Sequence, residues 1–364
     1  MIAQSEVVPY LLERNLLRPE CVVDEDLRVI ETSRRNHSFA VVRDRGPCYL
    51  LKQGIGTDRV MTVSNEAAIY QLLQSHGEKT GLDRYFPYFY EYDSNNHILI
   101  LEWVNGAQNL REYHLNRGRF AISPAIEMGN ALGGLHQLIR LENEDRYSVL
   151  QSQTPWIFSV YRPGLEIFRD FSSANIQLIK IIQQFPELCQ LLDGLRDEWK
   201  TETYIHFDIK GDNCIVFSKS PSKRKSGLKL VDWELSTIGD PCWDIGSFFS
   251  HFLSFWLLSI PISGETASPD RLLDLARYPI DKMQPAIRSF WQAYIRQMEL
   301  DDATANQWLI RGVKFAAARM IQTVFEQMQM SVQLTGNVIC SLQVSLNILR
   351  RPRESIIHLL GIPL

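Results

Sequence analysis

Short runs of alternating apolar and polar residues occupy much of the first hundred positions of the chain. A period of two is typical of strands that bury one face. The expected strands lie in LRVIETS, SFAVVRD and CYLLKQG, and two more lie in PYFYEYDSNNHILILEWV around the turn DSNN. The turn DRGP, residues 44–47, separates the second and third strands. These segments predict a small sheet at the start of the chain.

One helix is predicted among these strands, in the segment SNEAAIYQLLQSHG. Ser64 is its expected N-cap, Glu66 falls in its first turn, and Gly77 is its expected stop. The first hundred residues therefore predict strands with a single helix.

After Asn105 and Gly106 the apolar positions recur at helical spacing. A helix is expected to begin at Ser123, with Pro124 in its first turn. Further helices are expected in SSANIQLIKIIQQF, in PELCQLLDGLRDEWK and from Trp243 to the end, while CIVF and LKLVD predict two short strands. The pattern predicts an α+β protein with a small antiparallel β-rich lobe, residues 1–103, and a larger, mainly helical lobe, residues 104–364.

Composition and charge narrow the classes of partner. The chain has 364 residues, of which 45% are hydrophobic, so it can bury a large core. Its formal net charge of −4 does not favour nucleic acid or an anionic membrane as a partner. One basic run, SKSPSKRKSG at residues 218–227, is best explained as a solvated loop. The sequence does not indicate an oligomeric state.

The cysteines and the apolar segments indicate a cytoplasmic protein. Six cysteines are scattered without a Cys-x-x-Cys pair, which fits a reducing compartment. The first residues, MIAQSEVVPYLLERNLL, lack the apolar core of a signal peptide. The most apolar run, IGSFFSHFLSFWLLSIPI, is interrupted by Ser250, His251 and Ser254, and it predicts a buried core helix rather than a membrane span.

The segment YIHFDIKGDNCIVF, residues 204–217, places several polar groups between two strand-like flanks. His206, Asp208 and Asn213 stand in this loop, and Asp232 follows the strand LKLVD. If the two strands lie side by side, Asp208, Asn213 and Asp232 surround one small space. Carboxylate and amide oxygens suit Mg²⁺, and phosphoryl transfer needs such ligands beside a carboxylate that orients the attacking hydroxyl.

The first lobe supplies a matching pair of charges. Lys52 ends the third predicted strand, and Glu66 opens the helix that follows it. A strand lysine in this position can reach the α- and β-phosphates of a nucleotide, and a helix glutamate can fix its direction.

These motifs together resemble the aminoglycoside phosphotransferase and choline kinase-like family, which has a protein kinase-like, bilobal fold. The resemblance covers most of the chain, from Lys52 and Glu66 through LILEWVNG, LGGLHQL, HFDIKGDN and LVDWE to GDPCWDIG. The loop HFDIKGDN has the form His-x-Asp-x-x-x-x-Asn, which protein kinases share. The resemblance implies an ATP-dependent and Mg²⁺-dependent kinase.

Site roles follow from this resemblance. Asp208 would be the catalytic base, and Asn213 and Asp232 would bind Mg²⁺. His206 would brace the loop. Lys210 is a lysine at the position where protein kinases use one to steady the transferring phosphate, and a solvated loop lysine is the equal alternative.

The nucleotide would be held largely by the first lobe. Lys52 would contact the ATP phosphates and pair with Glu66, and the backbone of Glu102 and Val104 would hydrogen-bond the adenine edge. Asp244 would accept hydrogen bonds from the backbone of the catalytic loop.

One segment departs from the family pattern. The turn between the first two strands, TSRRNHS at residues 32–38, contains no glycine, although it would fold over the phosphates. Ser33 and Asn36 are the residues expected to donate hydrogen bonds to phosphate there, and an exposed polar hairpin is the alternative.

Three alternatives remain open on the sequence. A metal-dependent oxygenase would use His206, Asp208 and the distal His251, but His251 lies in a predicted helix. A non-catalytic kinase-like scaffold would bind nucleotide only, although no residue of the catalytic set is missing. Within the kinase interpretation, the phosphate acceptor is a hydroxyl of a small molecule or of a Ser or Thr in a peptide. A peptide substrate would be a ribosomally made precursor that is phosphorylated before dehydration.

Overall fold

The computed structural model describes residues 1–32, 36–138, 152–165, 171–218, 226–261 and 273–364. The chain forms two compact units. The first unit contains Met1–Leu110 and Asp212–Ser236, and the second contains Arg111–Gly211 and Thr237–Leu364. The lobes predicted at residues 1–103 and 104–364 differ from these units, because the strands after the catalytic loop pair with residues 108–109 in a sheet of the first unit.

The elements of the described residues are the following. The strands are β1 (Arg28–Glu31), β2 (His37–Val42), β3 (Tyr49–Gln53), β4 (Phe89–Asp93), β5 (Ile98–Glu102), β6 (Gln108–Asn109), β7 (Thr203–Ile205), β8 (Cys214–Ser218), β9 (Ser226–Leu230) and β10 (Thr237–Gly239). The helices are α1 (Val7–Glu13), α2 (Pro19–Asp24), α3 (Thr57–Thr80), α4 (Leu110–Arg117), α5 (Ile122–Leu138), α6 (Ser173–Gln183), α7 (Pro186–Glu198), α8 (Pro241–Leu258), α9 (Gln284–Met298), α10 (Asp302–Gln327), α11 (Gly336–Arg350) and α12 (Pro352–Ser355).

The first unit is built on an antiparallel five-stranded sheet in the order β1-β2-β3-β5-β4. Alternate residues of β2 and β3, among them Phe39, Val41 and Leu51, are buried with Val7 and Leu11 of α1. Because strand residues alternate between faces, the intervening positions of β3 face the other side of the sheet. Helix α3 packs against β3, β4 and β5. The predicted α+β class, with an antiparallel sheet first and a mainly helical remainder, is confirmed.

The prediction of a single helix in the first hundred residues is wrong. Helices α1 and α2 precede the sheet. Val7 and Leu11 lie on the buried face of α1 at the i, i+4 spacing of an amphipathic helix. Polar links also hold α1 in place, because Tyr10 Oη donates to Asp93 Oδ2 over 2.8 Å at the end of β4.

The expected ends of α3 are also wrong. The helix begins at Thr57, after Gly56, and not at Ser64. It continues through Gly77 and ends before Gly81, which adopts φ +72°. A glycine takes this left-handed conformation without steric cost, so Gly81 and not Gly77 ends the helix. Glu66 is therefore in the body of α3, not in its first turn.

The second unit contains helices that approach closely at glycines. A β-carbon on Gly129 of α5 would lie 2.4 Å from the carbonyl oxygen of Phe290 on α9. A β-carbon on Gly246 of α8 would similarly lie 2.5 Å from the carbonyl oxygen of Gly312 on α10. These close approaches join α5 with α9 and α8 with α10. Helix α5 begins at Ile122, one residue before the predicted start at Ser123.

The apolar run after Trp243 forms most of α8, whose residues are largely buried. The prediction of a core helix is confirmed. Among the described parts of the chain, none of the helices combines the length and the hydropathy that a membrane span requires.

Candidate active site

Three charged side chains meet in the first unit. Lys52 Nζ lies 2.6 Å from Glu66 Oε2 and 3.0 Å from Asp232 Oδ1. Lys52 reaches them because it alternates with the residues of β3 that pack on α1, and so faces the side of the sheet on which α3 lies. The predicted pairing of Lys52 with Glu66 is present.

Burial and neighbouring charges shift the pKa of Lys52 in opposite directions. Burial alone lowers the pKa of its ammonium group, but the carboxylates of Glu66 and Asp232 outweigh burial and raise the pKa. Lys52 is therefore a fixed positive charge at neutral pH. Such a charge suits the binding of phosphate oxygens.

Asp232 and Asn213 are brought together by the pairing of β8 with β9. Cys214 pairs with Leu230 at the end of this ladder, and Val231 N–H donates to the Asn213 carbonyl oxygen over 3.0 Å. Asp232 then adopts φ +67°, a conformation that costs about 1–2 kcal/mol in a non-glycine residue. From this turn the Asp232 carboxylate accepts a hydrogen bond from Lys52 Nζ.

These two residues fit a divalent cation of the magnesium type. Asp232 supplies a carboxylate and Asn213 an amide oxygen, and Mg²⁺ in kinases commonly takes one or two such ligands together with water and phosphate oxygens. In the described residues, no group of three or more His, Cys, Asp or Glu side chains could hold a metal ion by itself. Two protein ligands would leave most of the octahedral positions of Mg²⁺ to water and phosphate oxygens.

The catalytic loop of the second unit is held by Asp244 of α8. Asp244 accepts hydrogen bonds from His206 N–H at 2.7 Å and from Phe207 N–H at 2.9 Å. Trp243 Nε1 donates to the Phe207 carbonyl oxygen over 2.9 Å, and Phe207 has φ +70°. The predicted role of Asp244 as acceptor for the loop backbone is confirmed. His206 is buried, and the bracing role of its side chain stays a prediction.

A buried chain of polar groups supports Asp244 in turn. His136 Nε2 lies 3.3 Å from Asp244 Oδ2, and His136 Nδ1 lies 2.8 Å from Tyr294 Oη. His136 belongs to the LGGLHQL segment of α5, and Tyr294 belongs to α9. Three helices thus fix the orientation of the carboxylate that holds the loop.

Asp208 contacts two cations of the second unit. Lys210 Nζ lies 2.5 Å from its Oδ2, and Arg319 Nη2 lies 3.1 Å from its Oδ1. Burial alone lowers the pKa of Lys210, but the charge of Asp208 outweighs burial and raises it. Lys210 is thus a partner of the predicted base, and its contact with a transferring phosphate stays a prediction.

Arg319 is the residue that the sequence analysis missed. It lies on α10, more than a hundred positions after Asp208, so no local motif joins the two. One signal could have found it: a charged residue stands inside the apolar helical run KFAAARMIQTVF, where a buried position is expected.

The predicted adenine contacts lie at the end of β5, at Glu102, and on the connector after it, at Val104. Glu102 N–H donates to the Tyr88 carbonyl oxygen over 2.8 Å, so an adenine contact at Glu102 would use its carbonyl oxygen. The Glu102 side chain accepts from Lys229 Nζ at 2.9 Å. Val104 accepts from Ala107 N–H through its carbonyl oxygen, and its contact with adenine stays a prediction.

The remaining predicted phosphate contacts lie at the β1–β2 turn. Asn36 is buried just before β2. Ser33 lies outside the described residues, as does most of the basic run at 218–227. The phosphate contacts of Ser33 and Asn36 stay predictions.

His251, which a metal-dependent oxygenase would need, lies on helix α8 as expected. It is packed in an aromatic cluster, with its ring centroid 5.6 Å from that of His114 and 6.0 Å from that of Phe255. Its position is that of a core histidine rather than a strand ligand of a barrel.

A family model described as the phosphotransferase enzyme family matches residues 26–268, about two thirds of the chain. Two curated relatives, both described as acyl-CoA dehydrogenase family member 11, match over 94 residues. The protein from Pongo abelii is 33% identical and the one from Homo sapiens is 32% identical. The match covers 26% of this chain and 11% of each relative, so the chain corresponds to a small part of those proteins.

Two solved structures are similar over most of both chains. The choline kinase of Streptococcus pneumoniae is 13% identical, with a TM-score of 0.49, over 95% of this chain and 99% of that chain. A macrolide 2′-phosphotransferase of Brachybacterium faecium is 14% identical, with a TM-score of 0.49, over 94% of this chain and 98% of that chain. Neither similarity identifies a substrate for this chain.

Proposed function

Since this chain belongs to the phosphotransferase enzyme family, we propose that it moves the γ-phosphoryl group of ATP to a hydroxyl of a small molecule. The observation that carries the proposal is the hydrogen bonding of Lys52 to both Glu66 and Asp232. An ammonium group oriented in this way presents a fixed positive charge to nucleotide phosphates.

Nucleotide binding is assigned to the first unit. Lys52 contacts the phosphates, and the Glu102 carbonyl oxygen and Val104 N–H contact the adenine edge. Asn36 and Ser33 donate to phosphate from the glycine-free turn. The connector is well placed for this task because Glu102 is anchored through both its N–H and its side chain.

Asn213 and Asp232 are the residues that would hold Mg²⁺. When bound, the ion neutralises phosphate charge that develops during transfer. The Asp232 carboxylate accepts a hydrogen bond from Lys52 Nζ. The same residue would therefore both bind Mg²⁺ and orient the lysine.

Asp208 is the proposed base. The acceptor oxygen attacks the γ-phosphorus and its proton passes to the Asp208 carboxylate. The bond between the γ-phosphorus and the bridging oxygen breaks, and its electron pair leaves with ADP. Asp244 keeps the loop backbone in place during this step through the N–H groups of His206 and Phe207.

A small-molecule acceptor is preferred over a peptide. Lys210 and the basic run at residues 218–227 are compatible with a peptide acceptor, but neither of them requires one. Lys210 Nζ is bound to Asp208, which gives it a function unrelated to peptide binding.

The six cysteines are free thiols, which supports the proposal that the protein is cytoplasmic.

The test is ADP release in the presence of Mg²⁺ with a panel of small alcohols, aminoglycosides and candidate peptides. We expect turnover with at least one small alcohol and a loss of about a hundredfold or more in Asp208→Asn. Asp212→Asn is the matched control in the same loop, and it should keep most of the activity. Tight ATP binding without turnover on any acceptor would instead support a non-catalytic, nucleotide-binding scaffold.

A further inference from the structure

Arg319 is a buried cation in the second unit. Its side chain is 2% exposed, and it lies on α10 among buried neighbours that include Ala318, Met320 and Ile321. A charge in such surroundings costs several kcal/mol unless it is paired and hydrogen-bonded. The contacts that compensate for this cost therefore indicate what the residue does.

The guanidinium group is held by its own helix. Arg319 Nη1 donates to Thr323 Oγ1 over 3.2 Å and to Glu326 Oε1 over 3.0 Å. These partners lie four and seven positions further along α10, on the same face of the helix. Gln322 Nε2 also donates to Glu326 Oε1, so the carboxylate that holds Arg319 is itself fixed. The remaining amino group, Nη2, points to Asp208 Oδ1 at 3.1 Å.

The two cations on Asp208 differ in how firmly they are held. Lys210 contacts Oδ2, comes from the same loop, and has a side chain that is 39% exposed. Arg319 contacts Oδ1 from a buried site with further partners on α10. A flexible, partly exposed lysine can leave its partner at much lower cost than a buried, tethered arginine.

We infer that Arg319 is a positioning residue for Asp208: it holds Oδ1 in place throughout turnover, while Lys210 releases Oδ2 to accept the hydroxyl proton. This inference rests on the proposed function. It assigns different tasks to the two oxygens of one carboxylate. It also explains why the chain places a charged residue in the apolar run of α10.

A nearby positive charge favours the ionised form of a carboxylate. In Arg319→Met, the acid limb of the kcat/KM profile should therefore move to higher pH, and kcat at neutral pH should fall by about tenfold or more. KM for ATP should stay within about twofold, because the nucleotide contacts are proposed on other residues. In Arg319→Lys the acid limb should move part of the way back to its wild-type position, since lysine returns the positive charge without the second amino group.

Arg311 provides the matched control. It is also a largely buried arginine of α10, and its Nε lies 3.0 Å from Asp240 Oδ2. Arg311→Met removes a buried ion pair of the same helix without touching Asp208. It should lower the melting temperature and leave the acid limb in place. A merely structural role for Arg319 predicts this same behaviour in Arg319→Met, so an unmoved acid limb in the folded variant overturns the inference.

A second measurement does not depend on turnover or on the acceptor. Chemical denaturation of Asp208→Asn, Arg319→Met and the double variant forms a double-mutant cycle. Non-additive effects at neutral pH are expected, and strict additivity overturns the inference even if the protein is inactive. If Arg319→Met does not fold, Glu326→Gln replaces it in both experiments, because it weakens the tether at a partly exposed position. That variant should lower kcat without changing KM for ATP, and an unchanged kcat counts against the inference.

Failure of the proposed function has a different signature. Full turnover in Asp208→Asn would remove the base assignment whatever the result for Arg319. The inference about Arg319 fails separately, when Asp208→Asn is inactive but Arg319→Met keeps the wild-type pH profile.

Discussion

Lys52 Nζ lies 2.6 Å from Glu66 Oε2 although one residue belongs to a strand and the other to the body of a long helix. Glu66 is 1% exposed, so this carboxylate depends on Lys52 for its charge partner. The consequences of this pairing can be tested by binding measurements that need no acceptor.

Replacement of Lys52 should weaken nucleotide binding. In Lys52→Met we expect a loss of ATP affinity of about 10- to 100-fold, because hydrogen bonds to charged groups contribute about 1.5–3 kcal/mol. Glu66→Gln should cost less, since Lys52 keeps its bond to Asp232. Titration calorimetry with ATP and Mg²⁺ measures both variants. Lys314→Met, which breaks the exposed pair of Lys314 and Glu198, is the control. Equal affinities in Lys52→Met and Lys314→Met would contradict the phosphate assignment.

Replacement of Asp244 should destabilise the catalytic loop. Each of its two oxygens accepts a backbone N–H, from Phe207 and from His206. In Asp244→Asn one of those N–H groups faces an amide NH₂, and a buried donor without an acceptor costs about 1–3 kcal/mol. The free energy of unfolding from urea denaturation should fall by about that amount. Asp281→Asn, at an exposed position, should change it by less than about 0.5 kcal/mol. A similar free energy of unfolding for both variants would exclude the role of Asp244 in holding the loop backbone.

Two glycines in helices should respond to alanine with opposite signs. Gly129→Ala places a β-carbon 2.4 Å from the Phe290 carbonyl oxygen, and overpacking of this kind costs about 1–3 kcal/mol. Gly194 lies in the body of α7, and a β-carbon there meets no described atom within 4 Å. Gly194→Ala should therefore stabilise the protein by about 0.4–1 kcal/mol. Thermal denaturation of the two variants side by side gives the answer. Destabilisation by Gly194→Ala would show that space at this position is smaller than the structure indicates.

Acidification should destabilise the protein through the neighbouring histidines His114 and His251. Burial, with a smaller effect of His251, lowers the pKa of His114 to about 2, and burial together with Arg111 lowers the pKa of His251 to about 4. Both imidazoles are then neutral in the folded state, whereas the unfolded chain takes up protons below an ordinary pKa of about 6.5. The unfolded state binds more protons in this range. The free energy of unfolding therefore has its full value above about pH 6.5 and decreases as the pH falls below that.

The expected slope between pH 6 and pH 5 approaches about 1.4 kcal/mol per pH unit for each histidine. Urea denaturation across this range measures it. His251→Phe should reduce the slope, because phenylalanine fills similar space in the aromatic cluster and does not titrate. Replacement of His358, which is exposed on the segment after α12, should leave the slope unchanged. A slope that is equal in wild type and His251→Phe would contradict this prediction.

Local patterns were sufficient for most of the secondary structure. The strands β2, β3, β8 and β9 overlap the segments that were predicted as strands, and α8 forms in the predicted core run. Capping signals were less informative, since Ser64 and Gly77 are good candidates for helix ends but both lie inside α3. A helix ends where packing against the sheet ends, and a single favourable cap residue contributes only about 1 kcal/mol to that balance.

Sequence alone placed the loop HFDIKGDN and the charges of Lys52 and Glu66, because local spacings along a strand, a helix and a tight loop carry that information. The role of Asp244 was implied by the resemblance to the aminoglycoside phosphotransferase and choline kinase-like family. Only the tertiary structure decided that Arg319 contacts Asp208 and that His136 supports Asp244. Those contacts depend on how whole helices pack, and packing joins residues that are more than a hundred positions apart without leaving a periodic signal in the chain.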